Sequence, residues 1–319
     1  MKQLGYNDIA LKPKKCIVDS RKECNTSVKI GNRVFDMPIC AANMKSVINI
    51  ETCKFFARKN WFYIMHRFDI DIFDFIYEMQ KENLYTSISI GINEDSYETL
   101  RVIYNEPLVV DYITIDVANA WSDKTHKMVD YINKHFPESF LIVGNVATGE
   151  AVEDIEKWCV DAIKIGIAGG CVCLSKNKTG VFRPMVSTIE ECSSAVKNAL
   201  IIADGGIKEH GDIAKSISVG SDLCMAGSLF AGYDQSSGNI IEINETSIGK
   251  SGMYKEYFGS ASKYNKNECK NIEGKKILVQ YKGDMTRLLE ELKEDLQSSI
   301  SYVGGKSLRD LRYADHYLI

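Results

Sequence analysis

Eight short apolar runs, separated by stretches that include amphipathic helical patterns, predict an α/β chain folded as a (β/α)8 barrel. The runs start at 37, 61, 85, 112, 140, 162, 199 and 221, and each is six or seven residues long. A doubly wound open sheet is the main rival. It needs fewer units and usually carries Gly-x-Gly-x-x-Gly after its first strand, and that motif occurs nowhere in the chain. The length of 319 residues, with 45% hydrophobic and 26% charged residues, suits one large barrel rather than a disordered chain.

Run one (37–43) is Met-Pro-Ile-Cys-Ala-Ala-Asn, and run two (61–66) is Trp-Phe-Tyr-Ile-Met-His. Run three (85–91), Tyr-Thr-Ser-Ile-Ser-Ile-Gly, and run four (112–118), Tyr-Ile-Thr-Ile-Asp-Val-Ala, are rich in β-branched residues that pack well in buried strands. Run five (140–145), run six (162–167) and run seven (199–204) have the same character, and run eight (221–227) closes the set. Helical patterns fill several gaps. The segment 124–135 interleaves Met128, Val129, Tyr131 and Ile132 with Lys and Asp, and 150–158 and 209–219 follow the same logic. A last helix sets Leu288, Leu289, Leu292 and Leu296 on one face.

Two segments depart from the repeat. The 37-residue step between runs six and seven holds a Gly/Cys/Lys loop at 166–183. The polar stretch 232–283, after run eight, is too long for a connector and reads as a binding flap. No composition break marks a second domain, so residues 1–319 read as a single catalytic domain.

Net charge is −4, which gives no general attraction to nucleic acid. No 18-residue apolar run suggests a membrane span, and the first fifteen residues lack the apolar core of a signal peptide. A cytoplasmic location follows as the expectation. The ten cysteines then read as reduced thiols, most of them small apolar fillers, with no spacing typical of zinc.

Barrel enzymes place their chemistry at the C-terminal ends of the strands. There the chain offers His66-Arg67, Asp116-Val117-Ala118-Asn119, Asp204-Gly205-Gly206 and Gly227-Ser228. The ends of runs seven and eight are the usual phosphate position of this fold. Gly205, Gly206, Gly227 and Ser228 offer backbone N–H groups with little side chain in the way. After run six comes Gly169-Gly170-Cys171-Val172-Cys173, followed by Lys176 and Lys178. A thiol on a glycine loop beside ammonium groups is expected to have a lowered pKa and to act as a nucleophile. These residue types alone rank Cys173 only slightly above Cys171.

These residues resemble the inosine monophosphate dehydrogenase / guanosine monophosphate reductase family, whose loop is approximately GxGPGSxCTTxxxTG. Here it reads Gly166-Ile-Ala-Gly-Gly-Cys-Val-Cys173-Leu-Ser175-Lys-Asn-Lys-Thr179-Gly180. The likeness runs over nearly the whole chain. It takes in Pro38-Ile-Cys-Ala-Ala-Asn43-Met44, Gly144-Asn-Val-Ala-Thr148, Tyr257-Phe-Gly259-Ser and Glu273-Gly-Lys-Lys276. Within the family, three features favour the reductase branch. The chain has no room for the paired regulatory module of most dehydrogenases, the flap lacks their Arg-Tyr pair, and Glu273 stands where they typically carry Gln. The alternative is the dehydrogenase reaction, IMP to XMP with NAD; a silent nucleotide-binding protein would have no chemical need of Cys173, Ser175 and Glu273.

The resemblance implies reductive deamination of GMP to IMP with NADPH. Cys173 would attack C2 of guanine, and Glu273 with Ser175 would relay the proton that lets ammonia leave. It also implies that Asp204 holds the ribose hydroxyls and that Gly205, Gly206, Gly227 and Ser228 hold the phosphate. Gly259 and Ser260 would assist, with Lys270 and Gly274 bordering the base. For NADPH it implies Asp116, Val117 and Ala118 beside the nicotinamide and Arg67 near the phosphates. Ser20, Arg21, Ser298, Ser299 and Ser301 would reach the cofactor of a neighbouring subunit, relatives being homotetramers. In relatives the loop's carbonyls bind a potassium-type ion, which maps onto the carbonyls of Ala168, Gly170 and Cys173. Ala168-Gly169-Gly170 replaces the family's Gly-Pro-Gly, and losing Pro raises the loop's ordering cost.

Overall fold

The computed structural model describes residues 2–243, 252–266 and 272–319. Seven of the eight runs form one parallel sheet: Ile39–Ala41, Ser87–Ile90, Tyr112–Asp116, Phe140–Val146, Ala162–Ile165, Leu200–Asp204 and Leu223–Ala226. The hydrogen-bonded order is run one, eight, seven, six, five, four, three. Run two forms no ladder of its own but spans the seam between the sheet's two edges. Tyr63 makes a parallel bridge to Ala41, and the Met65 amide donates to the Ser87 carbonyl at 3.0 Å. The sheet therefore curls into the predicted eight-membered barrel. Its strands are buried on both faces, which is why most read as near-continuous apolar runs; run three, by contrast, buries Ser87 and Ser89 between its isoleucines.

Helices follow the strands and are started by side chains at their N-caps. Asn49, Asp71, Ser122 and Thr148 each accept a backbone N–H of the first turn, opening Ile50–Arg58, Ile72–Lys81, Asp123–His135 and Gly149–Glu156. The helices Met185–Ala195 and His210–Ser218 complete the units after runs six and seven. Thr286–Tyr302 buries Leu288, Leu289, Leu292 and Leu296, as its leucine stripe predicts. Among the described residues no helix is long and apolar enough to cross a membrane.

The two ends of the barrel differ in kind. At the strand-start end, a hairpin of Val28–Ile30 and Arg33–Phe35 plugs the opening. Phe35 lies edge-on to Phe62 and Tyr85, each at 5.3 Å between ring centres, and the Tyr112 hydroxyl donates to the Ile30 carbonyl at 2.9 Å. These aromatics all stand at or near the start of their runs. The other end is left to glycines and polar side chains. The flap is not the irregular segment that its polarity suggests. It carries a three-stranded antiparallel sheet of Ile240–Ile243, Gly252–Phe258 and Lys276–Gln280. The alternation is hard to read in the sequence because one inward position of the central strand is Lys255 rather than an apolar residue.

Candidate functional site

The 166–183 loop leaves the end of run six and folds back over the barrel mouth. Gly205, at φ +100°, disfavours any side chain: the left-handed backbone strains other residues, and a Cβ would press 3.2 Å from the backbone of Gly169 and Gly170. The Asp204-Gly205-Gly206 turn and the Gly169-Gly170 segment are thus packed backbone to backbone. Cys173 is half-buried, and its Sγ lies 3.3 Å from the Ser175 hydroxyl. Ser175 donates in turn to the Glu273 carboxylate through a short hydrogen bond. The three predicted catalytic residues therefore form one continuous chain.

Glu273 arrives from the flap, and its backbone is stitched to the loop that carries Cys173. Cys173 and Gly274 form an antiparallel bridge, Leu174 N donates to Glu273 O at 2.6 Å, and Lys275 N donates to Val172 O at 2.9 Å. Gly259 packs into this junction, where a Cβ would lie 3.3 Å from the Val172 carbonyl, and Ser260 follows it. The two lysines expected to activate the thiol are engaged elsewhere. Lys176 lies 4.2 Å over the Phe182 ring, and Lys178 donates to the Ile272 carbonyl. Cys173 is distinguished by its hydroxyl partner, not by a neighbouring cation. Cys171 is exposed and lies against the Tyr257 hydroxyl.

Gly205, Gly206, Gly227 and Ser228 do converge on one small cleft, which Gly169, Gly170, Cys171 and Tyr257 also line. The sequence gives Tyr257 no role beyond its place in the Tyr257-Phe-Gly259-Ser motif. Burial and the adjacent Cys171 thiol push its phenol pKa well up, so it stays a neutral donor. Its hydroxyl occupies the space in front of Gly227, where a Cβ would come within 2.2 Å of it. A second, more open cleft lined by Lys12, Ser193, Ser218 and His316 sits by the C-terminal ends of two helices and shares none of these residues.

Lys164 is the other residue that sequence reasoning missed. It stands within run six, is 2% exposed, and projects into the barrel. Its ammonium lies 2.7 Å from Asp204 Oδ2 and 3.2 Å from Asp116 Oδ1, and it also donates to the Asn145 side-chain carbonyl. Burial alone would lower its pKa, but the two carboxylates outweigh that and hold it above the usual lysine range. Asn145 ties in both Asp204 Oδ2 and the Gly166 carbonyl, at 2.8 and 2.7 Å. The predicted substrate residue Asp204 and the predicted cofactor residue Asp116 are thereby joined through one cation. Val117 and Ala118 follow Asp116, and the exposed Arg67 guanidinium lies against Gly91.

The remaining predicted residues form a separate cluster. Arg21 donates to the Ser298 hydroxyl and to the Tyr302 phenol, both at 3.0 Å, and Ser301 meets the Cys16 thiol at 3.3 Å. Ser20 caps the short turn Arg21–Glu23, accepting the Lys22 amide, and Ser299 bonds back to the Asp295 carbonyl. None of these bonds reaches the residues around Cys173. The Gly170 carbonyl, one of the three predicted cation ligands, accepts the Cys173 amide at 3.1 Å. Lys270 lies outside the described residues.

A family model for the IMP dehydrogenase / GMP reductase domain matches residues 3–318. Curated relatives match over nearly their whole length. A GMP reductase of Chromobacterium violaceum is 57% identical over 97% of this chain and 96% of its own. One of Oceanobacillus iheyensis is 48% identical, with 98% and 95% covered, and one of Staphylococcus aureus is 46% identical, with 100% and 97% covered.

Proposed function

The chain belongs to the IMP dehydrogenase / GMP reductase family, and from that premise we propose that it converts GMP to IMP and ammonia at the expense of NADPH. The observation that carries the reading is the line from Cys173 through Ser175 to Glu273. A thiolate alone can add to C2 of the purine, but an amine leaves poorly unless it is protonated. A carboxyl group reached through a hydroxyl answers that need.

In this reading the Cys173 sulfur bonds to C2 as the bond from C2 to the amino nitrogen breaks. The departing nitrogen takes its proton from Glu273 by way of Ser175. Bound NADPH supplies the hydride that C2 accepts. Breaking the bond between sulfur and C2 then releases IMP and restores the Cys173 thiolate. Asp204 would hold the ribose, since Lys164 and Asn145 both engage its Oδ2 and so orient the carboxylate. Gly205, Gly206, Gly227 and Ser228 would receive the phosphate with Tyr257, while Gly259, Ser260 and Gly274 would border the nucleotide from the flap; a role for Lys270 rests on the family resemblance alone.

Asp116, Val117 and Ala118 with the exposed Arg67 suit a cofactor that has a polar carboxamide and several phosphates. Ser20, Arg21, Ser298, Ser299 and Ser301 would meet the cofactor of an adjoining subunit in a homotetramer of the cytoplasm. A potassium-type ion would use the carbonyls of Ala168, Gly170 and Cys173, with Gly170 sharing its oxygen with the Cys173 amide. Residues 1–319 would act as one catalytic domain with 232–283 as its flap.

The test follows nicotinamide absorbance with each substrate in turn. NADPH consumption with GMP, with IMP and ammonia as products, is the expected result. Formation of NADH from NAD and IMP, with no NADPH consumed on GMP, would assign the dehydrogenase reaction instead.

A further inference from the structure

Lys255 lies on the central strand of the flap and is only 4% exposed. Its ammonium finds backbone carbonyls as its partners: Tyr233 at 2.7 Å, Ser236 at 2.8 Å and Asp234 at 3.4 Å. None of these bonds goes to a carboxylate, and burial pushes its pKa down against the weaker pull of the nearby Asp234 charge. An apolar residue would complete the strand's alternation and escape the cost of burying a charge. The position therefore calls for a reason beyond burial.

The reason lies two residues along. Side chains on a strand alternate, so Lys255 and Tyr257 project from the same face. Tyr257 is the residue whose hydroxyl fills the space in front of Gly227. The loop that Lys255 grips is anchored to the barrel, because Ser237 N donates to Val47 O at 3.3 Å, Thr52 donates to Gln235 O, and Met285 N donates to Gln235 Oε1 at 2.8 Å. On the other side of Tyr257, Ser46 clamps Phe258, accepting its amide at 3.1 Å and donating to its carbonyl at 2.8 Å. Tyr257 is thus held between a hydroxyl clamp and an ammonium clamp.

We propose that Lys255 is a positioning residue for phosphate recognition: its carbonyl-bound ammonium sets the height of the flap strand above Gly227 and thereby places the Tyr257 hydroxyl against the substrate's phosphate. This rests on the nucleotide reading of the cleft. Lys255 itself touches neither substrate nor cofactor. The inference predicts a defect confined to ligands that carry a phosphate.

The experiment compares binding of GMP and guanosine, by calorimetry, to the wild type and to Lys255→Met, Lys255→Arg, Tyr257→Phe and the double variant Lys255→Met/Tyr257→Phe. Lys255→Met is expected to weaken GMP about tenfold while leaving guanosine within about twofold, and Lys255→Arg to recover part of the loss. The double variant should bind GMP about as well as Tyr257→Phe alone, because both changes act through one hydroxyl. In turnover, KM for GMP should rise by a larger factor than kcat falls. Equal losses for GMP and guanosine, or additive losses in the double variant, would overturn the proposal and leave Lys255 a structural tie only. Should Lys255→Met not fold, Lys255→Arg carries the same comparison, with a smaller loss again limited to GMP. A wild type that bound both ligands alike would overturn the phosphate reading of the cleft and this proposal with it, whereas a discriminating wild type with indiscriminate losses overturns this proposal alone.

Discussion

The Lys164 ammonium lies 2.7 Å from the Asp204 carboxylate inside the barrel, and the same cation reaches Asp116 at 3.2 Å. Two carboxylates that close to one buried site tolerate each other only while the cation is present. Lys164→Met should therefore cost about 3–5 kcal/mol, since it strands two partly buried charges. The urea midpoint measures it. Adding Asp116→Asn to that variant should recover part of the loss, and a variant as stable as the wild type would show the cation to be dispensable.

Cys173→Ala removes the proposed nucleophile without touching the cleft lined by Gly205, Gly206, Gly227 and Ser228. GMP turnover should fall on the order of 10⁴-fold or more while GMP still binds. Single-turnover kinetics alongside a binding titration separates the two effects.

Glu273→Gln keeps the shape of the side chain and removes the proposed acid. The kcat should fall on the order of 10²–10⁴-fold, and Ser175→Ala should fall in the same direction through loss of the relay. Equal turnover by Glu273→Gln and the wild type would place the proton source elsewhere.

Gly227→Ala puts a methyl group 2.2 Å from the Tyr257 hydroxyl, a distance the packing cannot absorb. The flap strand must lift, at a cost of about 1–3 kcal/mol. The expected readout is a higher KM for GMP together with a lower melting temperature, and pairing with Tyr257→Phe should relieve both.

His66 is buried and neutral, with its pKa pushed down to about 4 by burial and then by the Lys45 charge. Its ordinary value is 6.5, so between these two values the unfolded chain holds the proton more tightly than the folded one. Stability present above 6.5 is thus lost as pH falls through this window, by about 3 kcal/mol for this group, and levels off below it. Urea unfolding across the window should show a shallower pH dependence for His66→Gln than for the wild type.

The barrel was legible because strands buried on both faces must be written almost wholly in apolar residues. Cys173 was legible as a thiol on a glycine loop at a strand end, and the convergence of Gly205, Gly206, Gly227 and Ser228 on one cleft was legible from their place after runs seven and eight. Lys164 was hidden because its meaning comes from Asp116 and Asp204 on neighbouring strands, which only the curl of the sheet brings to it. The position of Tyr257 in front of Gly227 was hidden with the flap sheet, whose alternation Lys255 interrupts. The lysines near Cys173 misled for a related reason. Nearness in sequence put them beside the thiol, but side-chain direction sends Lys176 to Phe182 and Lys178 to a flap carbonyl.

The proposed nucleophile and the proposed acid reach one another from different parts of the chain: Cys173 and Ser175 sit on a barrel loop, and Glu273 sits on the flap. Their meeting depends on a seam of a few backbone hydrogen bonds around Val172–Lys275, while the barrel is held by its whole core. Catalytic rate is then a gauge of docking rather than of folding. Increasing denaturant should silence turnover while the far-ultraviolet circular dichroism is still that of the native protein, because the seam opens at a lower free energy than the barrel. Loss of activity in a damaged or aged sample would accordingly report a parted seam well before it reported an unfolded molecule.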